Sequence, residues 1–104
     1  MTSNETKRTV APLMDLFEAD DAFLLRGDLP GVDEDDLQIS VEKRELVIEG
    51  RSGVAGGIHY RRSFRISGKI DVEGISAELD AGVLSVRLPK IAAAQKRRIE
   101  IKSA

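Results

Sequence analysis

The stretch that decides the fold is AELDAGVLSVRLP, residues 77–89. Within it, Leu84, Val86 and Leu88 alternate with polar residues, which is the two-residue period of a strand that buries one face. Pro89 follows, and because proline has no N–H to donate, it ends the hydrogen-bonded ladder. The sequence therefore predicts a strand that buries these three apolar side chains and ends at the proline.

A second apolar-polar run, Ile75 to Leu79, precedes this strand. The residues between the runs, Asp80-Ala81-Gly82, fit a three-residue hairpin loop whose last position has a positive φ. Gly82 adopts such a conformation at no steric cost. The two runs are therefore predicted to form a hairpin.

Short strands account for most of the remaining chain. Alternating or apolar runs separated by turn residues occur at 13–18, 22–28, 37–42, 45–50, 58–66, 75–79 and 83–88. Strands of this length and spacing are typical of an antiparallel β-sandwich. The predicted fold class is all-β.

The connections carry their own signals. Leu29-Pro30-Gly31-Val32 has proline and glycine where a type II turn needs them. The acidic run Asp33-Glu34-Asp35-Asp36 is interpreted as one turn. Lys43-Arg44 is a poor two-residue primed turn, so a longer loop reaching into Glu45 is predicted. Residues 51–57 hold three glycines and form a flexible connector, and residues 1–12 form a loose arm.

Composition excludes several classes of protein. At 104 residues the chain suffices for one domain. Only 4% of residues are aromatic and the net charge is −2, which argues against binding to nucleic acid. With no cysteine, disulfides and thiolate chemistry are excluded. No apolar run approaches about 18 residues and no signal-peptide core follows Met1, so a cytoplasmic protein without a membrane span is expected.

The hairpin resembles the A-x-L-x-x-G-V-L signature of the α-crystallin domain of small heat-shock proteins. Four further stretches are similar to that family in the same order: Asp15 to Glu18, Asp28 to Val32, the aromatic-x-Arg-x-aromatic run Tyr60 to Phe64, and the I-x-I motif Ile99 to Ile101. Each is common alone; their order and spacing across residues 15–101 carry the resemblance.

The resemblance implies an immunoglobulin-like β-sandwich with flexible termini that works without ATP. It divides the chain into a short N-terminal arm (1–14), an α-crystallin-type sandwich (15–89) and a C-terminal extension (90–104). Family members hold partly unfolded proteins in solution and assemble from dimers into larger oligomers.

Three departures from the family pattern affect assembly. The connection from Gly50 to Tyr60 is short enough to close a hairpin but hardly to supply the strand that bacterial and plant members exchange between partners. The arm is short and has few apolar groups, and Ser67 replaces the usual proline. Dimer geometry therefore stays open, while the fold prediction is unaffected.

By resemblance, a groove for clients or for the tail lies between two edge strands. Its predicted walls are Leu37, Ile39 and Val41 on one side and Ile75, Ala77 and Leu79 on the other. The predicted C-terminal anchor is Ile99 with Ile101, which share one side of an extended segment. The tail can dock in its own groove or a neighbour's; the alternative is that both isoleucines extend a local strand or pack on their own domain.

Arg62 occupies the position of the family's structural arginine. The resemblance implies an inter-subunit or structural ion pair, because a guanidinium can bind a carboxylate through two parallel bonds. The alternative is an exposed strand arginine worth under about 1 kcal/mol.

No catalytic, cofactor or metal site is predicted. The acidic run lacks the glycine and closing glutamate of a calcium loop, so a solvated turn is favoured. His59 is the single histidine and has no cysteine partners. Lys96-Arg97-Arg98 is a basic cluster on an acidic protein, which is typical of a solvated tail.

The function expected from the resemblance is that of an ATP-independent holdase, not an enzyme, with unfolded or partly unfolded client proteins as partners and self-association into a dimer or small oligomer. The rival hypothesis is a CS-type co-chaperone or docking module, which has a similar sandwich but binds a folded partner.

Overall fold

The computed structural model describes residues 9–53 and 57–103. Eight strands are present in this part of the chain: β1 (Thr9–Val10), β2 (Met14–Glu18), β3 (Ala22–Asp28), β4 (Val32–Glu42), β5 (Glu45–Ser52), β6 (His59–Arg65), β7 (Ser76–Asp80) and β8 (Val83–Pro89). Two single turns of 3₁₀-helix, Val72–Gly74 and Ala92–Ala94, flank β7 and β8. The predicted all-β class is confirmed.

The strands form two four-stranded sheets. The first has the order β1-β6-β5-β4 and the second the order β2-β3-β8-β7. Every pairing is antiparallel except that of β1 with β6, which is parallel. β4 and β7 are thus edge strands, one in each sheet, as are β1 and β2.

The core lies between the sheets. Leu84, Val86 and Leu88 of β8 are buried, which confirms their predicted alternation, and they join Leu46 and Ile48 of β5 in one apolar cluster. Burying a side chain of this size stabilises the fold by roughly 1.5–3 kcal/mol. This packing holds the two sheets together and fixes which strands are left at the rims.

The β7–β8 hairpin is tighter than predicted. Asp80 pairs with Val83, so the loop has two residues, Ala81 and Gly82, instead of three. Both have positive φ, 51° and 82°. The positive φ predicted for Gly82 is correct, but a two-residue primed turn also matches the twist of the strands, and here it replaces the wider loop.

The prediction of a longer loop after β4 is wrong. Glu42 pairs with Glu45, and Lys43 and Arg44 form a two-residue turn with φ of 51° and 62°. Contacts from outside the hairpin offset the strain. The N–H of Ile66 donates to the Arg44 carbonyl oxygen (2.9 Å), and Arg44 Nη1 donates to the Ser67 carbonyl oxygen (3.0 Å).

The acidic run also differs from its prediction as a turn. Asp33 to Asp36 lie within β4, where the ladder is irregular: Val32 pairs with Ser52 and Leu37 with Gly50. The preceding type II turn is as predicted, since Val32 N–H donates to the Leu29 carbonyl oxygen and Gly31 has a φ of 81°. Four exposed carboxylates therefore project from a bulged edge strand.

The N-terminal arm is attached where the structure describes it. Thr9 and Val10 pair with His59 and Tyr60, so the expectation of a loose arm is wrong for these residues; positions 1–8 lie outside the described residues. The connection after β5 closes a hairpin, as predicted, with Arg51 opposite His59.

Among the helices of the described residues, none is long and apolar enough to cross a membrane.

Candidate binding groove

An apolar groove of about 190 Å³ lies at the rim where β4 and β7 meet. It is lined by Leu37 and Ile39 of β4, Ala77 and Leu79 of β7, Leu84 of β8, and two glutamates, Glu34 and Glu78. Four of the six residues predicted from the sequence as groove walls are therefore brought together.

Strand alternation explains why the groove is apolar. On β4, Leu37 and Ile39 are half-buried while the intervening Gln38 is exposed. On β7, Leu79 is half-buried, and fully buried Leu84 of the neighbouring strand closes the floor. Because β4 and β7 end their respective sheets, no further strand covers these side chains among the described residues.

The other two predicted wall residues, Val41 and Ile75, do not line the groove. Both are half-buried and pack against the core cluster. Val41 lies two residues beyond Ile39 on β4, and Ile75 precedes the first residue of β7. Their apolar side chains stabilise the sandwich next to the groove.

Sequence reasoning missed the two glutamates that line the groove. Among the described residues, neither Glu34 nor Glu78 has a basic group within 4.0 Å. Glu78 stands between two predicted wall residues, and Glu34 belongs to the acidic run assigned to a turn. The surplus of acidic residues in the two groove strands was the signal that could have identified them.

Both side chains of the predicted C-terminal anchor are exposed to solvent. Ile99 is 84% exposed and Ile101 is 91% exposed, and neither belongs to a strand. The base of the tail is attached to the sandwich: Lys90 N–H donates to the Asp21 carbonyl oxygen (2.8 Å) and Ile91 N–H to the Lys69 carbonyl oxygen (2.8 Å). In this single chain the isoleucines neither extend a local strand nor pack on their own domain.

Arg62 makes no ion pair with the described carboxylates. Its Nη1 donates to the Pro12 carbonyl oxygen at 2.7 Å, and its guanidinium lies 4.9 Å from the centre of the Phe64 ring. The side chain thus ties the chain just before β2 to the middle of β6. An ion pair across a subunit interface stays a prediction.

A second apolar cavity, of about 200 Å³, opens between β2 and β6. Leu16, Phe23 and Leu25 of the second sheet line it on one side, and Phe64 and Ile66 on the other. Of these residues, Leu16 is 62% exposed. This cavity therefore adds apolar surface at the rim between β2 and β6.

A third cavity, of about 360 Å³, is polar. Its lining includes Asp35, Asp36, Arg51 and His59, beside the irregular part of the β4–β5 ladder. Within residues 9–53 and 57–103, no three His, Cys, Asp or Glu side chains are grouped so that they could hold a metal ion.

Known proteins are similar to this chain in sequence and in fold. Residues 15–102 match the family model of the Hsp20/alpha crystallin family. A probable 15 kDa heat shock protein of Leptospira interrogans is 34% identical over 99% of this chain and 90% of its own length. An 18 kDa heat shock protein of Streptomyces albus G is 29% identical over 90% of this chain and 75% of its own length.

Solved structures agree. A small heat-shock protein from Xylella fastidiosa, described as having a distinct high order structure, superposes with a TM-score of 0.73 at 31% identity, covering 90% of this chain and 98% of that one. Heat shock protein 16.0 from Schizosaccharomyces pombe gives 0.70 at 30% identity, covering 89% and 99%. The chain therefore belongs to the Hsp20/alpha crystallin family, whose members are ATP-independent chaperones rather than enzymes.

Proposed function

We propose that this protein is an ATP-independent holdase that binds exposed apolar segments of unfolding proteins and prevents their aggregation. The observation that carries this proposal is the open groove between β4 and β7, a largely apolar surface that residues 9–53 and 57–103 leave uncovered at a sheet rim. Leu16, which lines the second cavity, and the exposed side chains of Leu13 and Phe17 add further apolar surface. A third of all residues are charged, which keeps a complex with an apolar client dispersed.

The groove suits weak, reversible binding. Burying the two isoleucines of one tail, at roughly 1.5–3 kcal/mol each, contributes roughly 3–6 kcal/mol before costs. Ordering an extended segment and immobilising both partners offsets much of that gain. A net of about 2–4 kcal/mol corresponds to a Kd in the millimolar range or weaker for one isolated contact. Such contacts hold when several act together and open readily one by one.

The I-x-I tail is the natural competitor for the same groove. Ile99 and Ile101 are exposed and lie on one side of an extended segment, the form that a groove between two strands accepts. Docking by tails of other copies would link chains into oligomers, and undocking would uncover apolar surface for clients. Members of this family self-associate, so the tail is proposed as one of the links, with residues 15–89 as the folded body and 90–104 as its extension.

The direct test is the light scattering of a heat-stressed model protein, recorded without nucleotide. The protein should suppress the signal at a few-fold molar excess. Ala77→Arg, which fills the groove, should weaken suppression, whereas Ser63→Arg, at an exposed position of β6 outside the groove lining, should not. No suppression by the parent protein would end the holdase proposal, and equal suppression by both variants would remove the groove from it.

The family assignment favours the holdase over a CS-type docking module that binds one folded partner. A cytoplasmic location and an inter-subunit ion pair of Arg62 belong to the same proposal. Specific affinity for a single folded protein, without suppression of aggregation, would instead support the docking module.

A further inference from the structure

The groove and the tail carry opposite charges. Glu34 and Glu78 line the groove, and Asp33 and Asp35 are exposed beside Glu34. The segment Lys96–Lys102, with the sequence KRRIEIK, has four basic side chains and one carboxylate, although the whole chain has a net charge of −2. The body of the protein is therefore acidic, and its surplus of positive charge is concentrated around the I-x-I motif.

We propose that Glu34 and Glu78 are specificity-determining residues of the β4–β7 groove, whose carboxylates favour the occupant proposed above, the tail of a second copy, through the basic residues of segment 96–102. This inference rests on the proposed docking of apolar segments in the groove and adds its specificity. The site is the apolar groove; the two carboxylates decide which extended segments it prefers.

The geometry of an extended tail supports this assignment. Alternate residues of an extended chain share a side, so Arg97 lies on the same side as Ile99 and Ile101, with about 6.6–6.8 Å between successive members. When both isoleucines enter the groove, Arg97 reaches its margin. Glu100 then points away from the lining carboxylates, and the one acidic residue of the segment does not oppose docking.

Charge and the state of the chain's own tail both agree with the occupant proposed above. Ile99 and Ile101 remain exposed in the single chain, although the base of its tail is hydrogen-bonded to Lys69. Neither Glu34 nor Glu78 has a basic partner within its own described residues. A tail from a second copy supplies both the apolar and the basic groups that this groove lacks.

The expected effect is modest and sensitive to salt. Two exposed ion pairs of intermediate strength together strengthen binding by roughly tenfold, about 1.4 kcal/mol in total, at low ionic strength. The Debye length falls from about 30 Å at 0.01 M to about 3 Å at 1 M, and the gain should vanish as salt is raised. The apolar part of the binding should persist.

The test uses labelled peptides and the full chain carrying Ile99→Ser with Ile101→Ser, so that its own tail does not compete. The peptides are KRRIEIK, its neutral counterpart QQQIEIQ, and KRRSESK, which keeps the charges without the isoleucines. At about 0.05 M salt, KRRIEIK should bind up to roughly tenfold more tightly than QQQIEIQ, and at about 0.5 M the two should bind equally. KRRSESK should not bind.

Receiver variants assign the effect to the groove. Glu34→Gln with Glu78→Gln should reduce the affinity for KRRIEIK to that for QQQIEIQ, whereas the matched pair Glu42→Gln with Glu73→Gln, both exposed and outside the groove lining, should leave it unchanged. Equal binding of KRRIEIK and QQQIEIQ at low salt would overturn the charge selection and leave groove docking standing. Binding of KRRSESK as tight as that of KRRIEIK, or no binding of either isoleucine peptide, would overturn both.

Discussion

The Arg62 guanidinium donates a 2.7 Å hydrogen bond to the carbonyl oxygen of Pro12, a buried residue fifty positions earlier in the chain. Pro12 stands between β1, which pairs with β6 in the first sheet, and β2, which belongs to the second. The arginine thus fixes the segment that crosses from one sheet to the other. In the isolated chain its contribution is to the fold of the subunit.

We therefore expect Arg62→Ala to lower the free energy of unfolding by about 2–4 kcal/mol, since it removes a charged donor, leaves a carbonyl without its partner and ends the contact with Phe64. The control is Arg61→Ala. Arg61 is exposed and lies 3.9 Å from Glu49, so its loss should cost under about 1 kcal/mol. Urea unfolding measures the free energy of unfolding of both variants. Equal losses for Arg62→Ala and Arg61→Ala would show that the hydrogen bond to Pro12 does not stabilise the fold.

Leu84 is fully buried and forms both core and groove floor. Leu84→Ala should destabilise the protein by roughly 2–5 kcal/mol, because the surrounding side chains close the resulting cavity only in part. Val83, the next residue, is 37% exposed and serves as the control, with a much smaller expected loss for Val83→Ala. Chemical denaturation gives the comparison, and similar losses at the two positions would contradict the assignment of Leu84 to the core.

The turn between β7 and β8 contains a non-glycine residue in the left-handed region, Ala81, with a φ of 51°. That conformation costs alanine about 1–2 kcal/mol, so Ala81→Gly should be neutral to stabilising by up to about 1 kcal/mol after the larger chain entropy of glycine is counted. Gly82→Ala should destabilise the protein by about 1–2 kcal/mol, because alanine is strained at this positive φ. A Cβ at this position would lie 3.5 Å from the Leu29 carbonyl oxygen, an ordinary contact, so no steric clash adds to the strain. Thermal unfolding of the pair decides the sign, and a stabilising Gly82→Ala would refute the two-residue turn.

The sequence predicts the features that depend on local pattern. The alternation of apolar and polar residues around Val86 correctly predicts that Leu84 and Leu88 are buried, because the two-residue period is a property of a single strand. The groove residues Leu37, Ile39, Ala77 and Leu79 were identified by family resemblance, which carries long-range information that a single strand lacks.

What the sequence does not predict depends on distant contacts. Lys43-Arg44 closes a tight turn because Ile66 and Ser67 hold it, and these residues lie more than twenty positions away. Thr9 and Val10 form a strand because they pair with His59 and Tyr60 of β6. Glycine at position 82 fits a two-residue loop and a three-residue loop equally well. The sequence alone therefore does not predict that Asp80 pairs with Val83.

The tail gives the last prediction. Ile99→Ala with Ile101→Ala should shift any oligomer toward smaller species in size-exclusion chromatography, because the two side chains that we propose as the link between copies are truncated. The same pair should leave the thermal stability of the isolated subunit unchanged, since both residues are exposed in the single chain.

The control for the tail is Glu100→Gln, which keeps both isoleucines and should preserve the elution profile. An unchanged profile of the double alanine variant, with a parent that is clearly oligomeric, would show that other surfaces hold the copies together. The exposed side chains of β2, Leu16 and Phe17, would then be the next to substitute. A fall in subunit stability together with the shift in size would instead place the isoleucines on their own domain in solution, contrary to their exposure in the single chain.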